Sequence, residues 1–256
     1  MKITHLSETV TIKTVSENAT AGVFEVEGLY SGYGLTVGNA LRRALLSSLP
    51  GAAVTQFKIK GVAHEFTVVP NVKEDVVEIG LNLKQLRFRI HTDEPQVLLL
   101  KSKGEGKVTA RDFEKNSLVD VINPDQPIAT LTSKGGTLEL EVTVEKGLGY
   151  SSVEARKREK LGIGMIALDA FFTPVTKVNY VIENMRVGDR TDYNKLHLEV
   201  ETDGSITPSV ALHKAANVLR DHFEKVGAVT VQEFEESGEK PKKTRAKKSE
   251  AAESEE

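Results

Sequence analysis

Few residues of this chain have the types and spacing that chemistry requires. The segment Gly162–Ala167 has the form G-x-G-x-x-A, which in dinucleotide-binding folds lets the backbone approach a pyrophosphate. It follows the charged run 155–160 (ARKREK), where such a fold needs a buried parallel strand. The segment Gly104–Lys107 lacks the spacing and the trailing serine or threonine of a phosphate-binding loop, and it predicts a hairpin turn. Neither segment predicts a bound cofactor.

The titratable residues do not predict a metal site or an acid–base pair. No two of the six histidines have the spacing of zinc ligands, and they are scattered as His5, His64, His91, His197, His213 and His222. Asp189 and Asp192 could hold Mg²⁺, but a loop that is hydrogen-bonded to its own aspartates explains them more simply. The sequence has no tight group of three aspartates like that of a nucleotidyl-transferring active site. We therefore expect no catalytic residue, no cofactor and no metal in this chain.

Composition limits the class of protein. The chain has 256 residues, of which 39% are hydrophobic and 28% charged, as in soluble globular proteins. Its first ten residues contain no apolar signal core, and its apolar runs are shorter than the ~20 residues of a membrane span. The absence of cysteine excludes disulfides and agrees with a reducing compartment. A net charge of -3 argues against coating of nucleic acid. We expect a cytoplasmic protein, not associated with a membrane, whose partners are proteins.

The strongest structural pattern is a helix over Thr36–Leu49, between a glycine-containing segment and the Pro50-Gly51 stop. Its apolar residues recur at spacings of three and four and define one face, made of Val37, Ala40, Leu41, Ala44, Leu45 and Leu49. Polar residues lie largely off this face, at Asn39, Arg42, Arg43 and Ser47. The apolar face can pack on the chain's own sheet with the arginines solvated, or it can serve a partner as well. The pattern alone favours the first reading.

A second long helix is predicted over Pro208–Val226. Thr207 can cap its first turn, Pro208 suits its first position, and Gly227 can close it. Its apolar face comprises Leu212, Ala215, Ala216, Leu219, Phe223 and Val226. Together, the two predicted helices carry more apolar surface than a small sheet can cover, so the surplus suggests a second copy of the chain related by a two-fold axis.

Between the helices the pattern changes to short strands. A strand over Ala21–Leu29 precedes the first helix, and many strand-like runs separated by glycine and proline occupy 52–150, with one helix within Glu74–Leu86. Strands over Val175–Asn184 and Leu196–Glu201 and a turn at Asp203-Gly204 lead to the second helix. This order predicts an α+β fold in which residues 1–50 and 165–231 form one split domain, interrupted by a mainly β domain over 51–164. Residues 232–256 predict a disordered charged tail.

The sequence of Gly32–Gly51, GYGLTVGNALRRALLSSLPG, closely resembles the signature of the alpha subunit of bacterial DNA-directed RNA polymerase, in its N-terminal assembly domain. Further segments resemble the same family in the same order, so that the resemblance covers about residues 1–231: Ala53–Val62 with His64-Glu65, Lys73–Lys84, Lys146–Tyr150, Thr173–Val175, Arg186–Tyr193 and Thr202–Ser205. Asn194 departs from the family, which usually has an acidic residue there. Family members also usually continue to a small helical C-terminal domain that binds DNA and regulators.

The resemblance implies a non-catalytic subunit of a nucleotidyltransferase. It implies a dimerisation domain split by an insert domain, and a homodimer on which the beta and beta-prime subunits dock, with omega and sigma in the complete enzyme. DNA is contacted only indirectly through the polymerase. Dimerisation is expected to use Val37, Leu41, Leu45, Leu49, Leu212, Leu219 and Phe223. Docking is expected to use Asn39, Arg42, Arg43, Arg186, Arg190 and Asp192, with Arg43 contacting beta.

Two other functions are compatible with parts of the sequence. A small-molecule enzyme would need its site between the insert and the split domain, where only the weak motifs above are available. A free-standing nucleic-acid binder would work through Lys240–Lys248, but glutamates flank this basic cluster on both sides and weaken its attraction for phosphate. The residues after Val231 are also too few and too polar to fold as a DNA-binding domain. We therefore expect them to contribute little to assembly or to recognition of upstream DNA.

Overall fold

The structure is a computed structural model and describes residues 9–156, 162 and 164–229. The predicted charged tail, His5 and most of the ARKREK run lie outside the described residues. The described residues form an α+β fold, as the sequence predicts, and their strand pairings are antiparallel. None of their helices is both long enough and apolar enough to cross a lipid bilayer.

Fourteen strands, three α-helices and a short 3₁₀ helix over Ala110–Asp112 make up this region. In chain order they are β1 (Thr11–Glu17), β2 (Ala21–Leu29), α1 (Tyr33–Ser47), β3 (Pro50–Ile59), α2 (Val76–Lys84), β4 (Phe88–Ile90), β5 (Gln96–Lys103), β6 (Gly106–Thr109), β7 (Val119–Val121), β8 (Pro127–Leu131), β9 (Thr137–Leu148), β10 (Tyr150–Ser151), β11 (Ile166–Ala167), β12 (Ala170–Phe171), β13 (Val175–Val187), β14 (Arg190–Thr202) and α3 (Pro208–Gly227).

The first sheet has the strand order β1-β2-β14-β13 and combines strands from the two ends of the described chain. Successive side chains of a strand point to opposite faces. On one face, Phe24 of β2 and Leu198 of β14 are buried in a core shared with α1 and α3. On the other face, Glu25 accepts from Lys195 (2.7 Å) and pairs with His197 (3.0 Å). The two helices therefore cover one side of this sheet, and the other side is charged.

The second sheet has the order β5-β9-β3-β4-β7, with β11 pairing to β3. Its core contains large side chains that are fully buried, among them Phe57, Phe88 and Ile79 of α2. Ile166 of β11 belongs to the same core, and β12 pairs with β10. The sequence placed the end of the mainly β domain at residue 164, and both β11 and β12 lie beyond it. They pair with β3 and β10, so the chain leaves this part of the fold later than the sequence indicated.

Two turns differ from the sequence prediction. Gly104–Lys107 was expected to form a hairpin turn, but β5 pairs with β9 and β6 pairs with β8, so this turn joins strands of two different sheets. The loop predicted around Asp189 and Asp192 is the tip of a continuous β-hairpin, since β13 and β14 extend until Val187 pairs with Arg190. Gly188 at the tip has a φ of 62°, which glycine adopts without strain.

The helix ends also differ in part from the sequence prediction. Helix α2 confirms the helix expected within Glu74–Leu86, and the Asp75 carboxylate accepts from the Glu78 N–H at 2.7 Å. Thr207 was predicted to cap α3, but its side chain makes no capping hydrogen bond. Instead, a Glu17 oxygen from β1 accepts from the Ser209 N–H at 2.9 Å. The first turn of α3 is therefore capped by a distant strand.

Helix α1 begins at Tyr33, three residues before the predicted start, and includes Gly34. Gly34 and Gly38 are both buried where α1 crosses β13 and β14. A Cβ atom on Gly38 would lie 2.9 Å from a Leu196 methyl carbon and 3.0 Å from the Tyr180 ring. Gly34, which the sequence placed before the helix, and Gly38 therefore both lie in α1 and let it approach the sheet closely.

Candidate protein-interaction surfaces

The inner face of α1 is used by the chain itself. Leu41, Leu45 and Leu49, three of the residues expected at a dimer interface, are 8%, 0% and 1% exposed. They share a core with Leu198 and Val200 of β14. Side chains buried this completely leave no surface for a second copy. The structure therefore gives these three residues a place in the chain's own core.

The outer face of α1 borders a groove that is shared with α3. The groove has a volume of about 750 Å³. Its lining includes Leu35, Ala40, Val218 and Leu219, together with the polar residues Thr36, Asn39, Arg43, Ser47, Ser48 and His222. Of the expected dimer residues, Val37, Leu212 and Leu219 are partly buried against the core, so each keeps some accessible surface.

The C-terminal half of α3 has an apolar face that the described part of the chain leaves exposed. Phe223, Val226 and Val229 are 66%, 70% and 71% exposed. Phe223 and Val226 lie four and seven residues after Leu219, so the three residues share one side of the helix, and Val229 follows just after the helix ends at Gly227. Large apolar side chains that are grouped and exposed mark interaction surfaces. Phe223, expected at a dimer interface, is thus available for one.

Arg42 and Arg43 lie on the exposed part of α1. Within residues 9–156 and 164–229, neither guanidinium has a carboxylate within 4.0 Å. The Arg43 carbonyl accepts from the Ser47 hydroxyl at 2.7 Å, so Ser47 is tied to the helix backbone. Arginine presents planar donors that suit a carboxylate on a partner. Asn39, one turn earlier than Arg43, shares the lining of the groove.

The tip of the β13–β14 hairpin places a cation beside two aromatic rings that meet edge to face. Arg190 donates from Nε (3.0 Å) and Nη2 (2.7 Å) to the two carboxylate oxygens of Asp192. Its guanidinium lies 4.8 Å from the Tyr30 ring centroid and 5.4 Å from that of Tyr193. Hydrogen bonds from Arg190 hold the pKa of Asp192 below its ordinary value. Arg186 donates to the Gly188 carbonyl at 2.7 Å, within the same hairpin.

The hairpin also holds the connection between β2 and α1. The Asn194 side-chain oxygen accepts from the Gly32 N–H at 2.9 Å and from the Gly34 N–H at 3.3 Å. The Asn194 amide group donates to the Asn184 side-chain oxygen at 3.3 Å, and the Met185 sulfur accepts from the Gly28 N–H at 3.1 Å. Sequence reasoning missed this role of Asn194. The available signal was Gly32, which has no side chain to cap the helix that follows it.

A third exposed apolar surface borders α2 and was not foreseen. A pocket of about 490 Å³ is lined by Phe66, Val77 and Leu81, which are 80%, 42% and 55% exposed, and by other residues of 57–169. At its edge the Asp169 carboxylate accepts from the Val153 N–H at 2.9 Å and pairs with Lys84 at 3.6 Å. The backbone hydrogen bond first, and the Lys84 charge next, hold the pKa of Asp169 below its ordinary value.

The residues considered for catalysis are not assembled into a site. In the described part of the chain, no three histidine, aspartate or glutamate side chains gather as metal ligands. Gly162 and Gly164 precede the two-residue strand β11, so they do not join a parallel strand to a helix as a dinucleotide fold requires. Ile163 lies outside the described residues. The Asp192 carboxylate forms a salt bridge with Arg190 at 2.7 Å.

Comparison with known proteins identifies the family. A family described as the RNA polymerase Rpb3/RpoA insert domain matches residues 57–173. The chain is 53% identical over 215 residues to the DNA-directed RNA polymerase subunit alpha of Symbiobacterium thermophilum, covering 83% of this chain and 68% of that protein. It is 54% identical over 202 residues to the subunit alpha of Moorella thermoacetica, covering 79% and 64%. The chain spans about two thirds of the length of these relatives. It belongs to the family of DNA-directed RNA polymerase alpha subunits.

Proposed function

We propose that this chain is the non-catalytic assembly subunit of a DNA-dependent RNA polymerase, the nucleotidyltransferase of transcription. It forms a homodimer, and the beta and beta-prime subunits dock on this dimer. The omega and sigma subunits join them in the complete enzyme. The observation that carries this proposal is the uncovered apolar half of α3 beside the α1–α3 groove. It occurs in a chain similar to proteins named subunit alpha. The complete enzyme works in the cytoplasm, and this chain meets DNA through the polymerase.

The dimerisation domain comprises residues 1–50 and the returning chain up to 231, interrupted by the insert domain that begins at residue 51. The sequence put the second boundary at residue 164, but the proposal moves it beyond Phe171, because β11 and β12 pair with β3 and β10. A second copy lies across a two-fold axis. In a two-fold interface each copy offers the same patch and receives it. Phe223 and Val226 of one copy would lie along the α1–α3 groove of the other, against Leu35 and Leu219. The groove supplies the volume, and the two exposed side chains of α3 supply the apolar surface that has to be removed from water.

Docking of the large subunits uses charged and polar residues that border the proposed dimer contact, since Arg43 and Asn39 themselves line the α1–α3 groove. Arg43 offers its guanidinium to a carboxylate of beta, and Arg42 and Asn39 flank it on α1. Arg186, Arg190 and Asp192 form a second contact at the hairpin tip. There the Asp192 carboxylate and the rings of Tyr30 and Tyr193, which meet edge to face, restrict the Arg190 side chain and so lower the entropy that binding would otherwise cost. The exposed surface along α2 is the contact of the insert domain.

The test is co-expression of the tagged chain with beta and beta-prime of the same organism. The expected result is co-purification of both large subunits. The free chain should sediment at twice the 28.0 kDa mass of one copy. A monomeric chain that captures neither large subunit would contradict the assembly function. Transcription assays of the purified complex then ask whether the captured subunits form an active polymerase.

A further inference from the structure

Helix α1 begins without the usual means of holding its first turn. The first N–H groups of a helix have no partner within the helix and are normally satisfied by a side chain at the capping position. That position is Gly32, with a φ of 84°, and the first turn contains no acidic residue. Yet this turn carries Tyr33 and Leu35, which are 44% and 60% exposed, and Leu35 lines the α1–α3 groove. Its orientation must therefore be set from elsewhere.

Asn194 of β14 supplies the missing acceptor. It is 8% exposed, and its side-chain oxygen accepts from the Gly32 and Gly34 N–H groups at 2.9 and 3.3 Å. Asn184 on the neighbouring strand accepts from the other half of the same amide at 3.3 Å, which orients it. A Cβ atom at Gly34 would lie 3.0 Å from the Asn194 Cβ, so Gly34 is what permits this approach.

We propose that Asn194 is the positioning residue for the first turn of α1, holding Tyr33 and Leu35 in the register that a second copy of the chain meets. Asn194 acts through the Gly32 and Gly34 backbone and touches no partner itself. The part of this inference that concerns the second copy rests on the proposed function. The part that concerns the first turn does not, because it is measured on the chain without the large subunits.

The first measurement is hydrogen–deuterium exchange of the backbone amides between Tyr30 and Leu35. Asn194→Ala should raise their exchange about tenfold, the effect of losing a helix cap. Asn179→Ala is the matched control, since Asn179 is exposed on β13 and lies on the other face of the same sheet. Unchanged exchange in Asn194→Ala would overturn the proposal.

The second measurement separates positioning from general packing by rescue. Asn194→Asp keeps the acceptor and adds negative charge at a helix N-terminus, so at about pH 7 it should restore the slow exchange. A carboxylate that is hydrogen-bonded in the folded state has a lowered pKa, so this rescue should be present above about pH 4 and be lost as the pH falls further. The asparagine side chain does not titrate, so the wild-type chain and Asn179→Ala should show the same exchange as each other throughout this pH range. An aspartate variant that exchanges as fast as the alanine variant at neutral pH would contradict a capping role.

The third measurement addresses the pair of asparagines. Asn184 is expected to act through Asn194, so Asn184→Ala should raise exchange less than Asn194→Ala, and the double variant should match Asn194→Ala alone. Fully additive effects would show that the two residues work independently and would overturn the arrangement proposed here.

The last measurement is the dissociation constant of the homodimer by sedimentation. Asn194→Ala should weaken it about tenfold and Asn194→Asp should restore it at neutral pH. If exchange responds as expected but dimerisation does not, the positioning of the interface is overturned. If the wild-type chain does not dimerise, the proposed function fails, while the exchange measurements still decide whether Asn194 holds the first turn.

Discussion

Arg43 shows what a single exposed residue can contribute. It lies on the outer face of α1, and in the described part of the chain no carboxylate neutralises it. We predict that Arg43→Ala leaves the free energy of unfolding within about 0.5 kcal/mol of the parent, because surface substitutions away from special features have small effects. Capture of beta should fall, since the partner's carboxylate would lose its donor.

The measurement is a pull-down of beta at several salt concentrations, beside urea denaturation of each variant. Lys214→Ala is the control, because it also removes an exposed positive charge but lies on α3. Equal capture of beta by Arg43→Ala and the parent would remove Arg43 from the docking surface. Equal losses in Arg43→Ala and Lys214→Ala would point to net charge as the cause.

Asp192 allows a pH test of the hairpin tip. Hydrogen bonds from Arg190 lower its pKa in the folded state. A group with a lowered folded pKa contributes stability that is present above its unfolded pKa of about 4 and is lost as the pH falls through its folded value. We therefore predict that wild type is more stable than Asp192→Asn at neutral pH and that this difference disappears in acid.

Urea denaturation from about pH 7 down to about pH 3 measures this difference. Asp189→Asn is the matched control. Asp189 is exposed on the same turn and makes no ion pair within the described residues. A difference for Asp192→Asn that persists unchanged in acid would show that the carboxylate charge does not stabilise the hairpin.

At the scale of the element, α1 depends on glycines that lie against β13 and β14. A side chain at Gly38 would meet a Leu196 methyl group at 2.9 Å and the Tyr180 ring at 3.0 Å. We predict that Gly38→Val destabilises the fold by about 2 kcal/mol or more, because overpacking forces the helix away from the sheet. The improved helix propensity of a residue other than glycine, at most about 1 kcal/mol, is too small to offset this.

Thermal and urea denaturation measure the effect, with Thr36→Val as the control on the exposed side of the same helix. The control should change stability by less than about 0.5 kcal/mol. If Gly38→Val is as stable as the parent, α1 can shift on the sheet without cost and the close approach is not required.

At the scale of the whole molecule, one question is which apolar residues fold the chain and which join two copies. Leu45 is fully buried in the core under α1. We therefore expect Leu45→Arg to unfold the chain, since a charge enters a site without water or a partner. Phe223 is 66% exposed, so Phe223→Glu should leave the monomer folded and dissociate the proposed dimer.

Circular dichroism reports the fold, and sedimentation reports the mass. Val210→Glu is the control, because Val210 is exposed on the same helix about 140° away from Phe223 around the axis. Phe223→Glu that sediments as the parent does would exclude this end of α3 from the interface. Loss of the dimer in Val210→Glu as well would mean that the interface is not confined to the side of Phe223.

Sequence determined what depends on neighbours along the chain. Periodicity of two and of about 3.6 indicated strands and helices, because side-chain direction follows directly from backbone geometry. The apolar spacing within Glu74–Leu86 indicated α2, and the cap found in the structure is also local, since the Asp75 carboxylate accepts from the Glu78 N–H three residues later. The residues around Arg42 and Arg43 also indicated the family, which the comparisons then confirmed.

Tertiary structure decided everything that joins distant residues. The first turns of α1 and α3 are held by Asn194 and Glu17, which are 160 and 192 positions away from the backbone groups they accept from. The apolar pattern of α1 did not show that Leu45 would be enclosed and Leu35 left open. The physical reason is that burial and capping depend on which surface arrives opposite a side chain. That is set by the packing of the whole sheet, and no short segment encodes it.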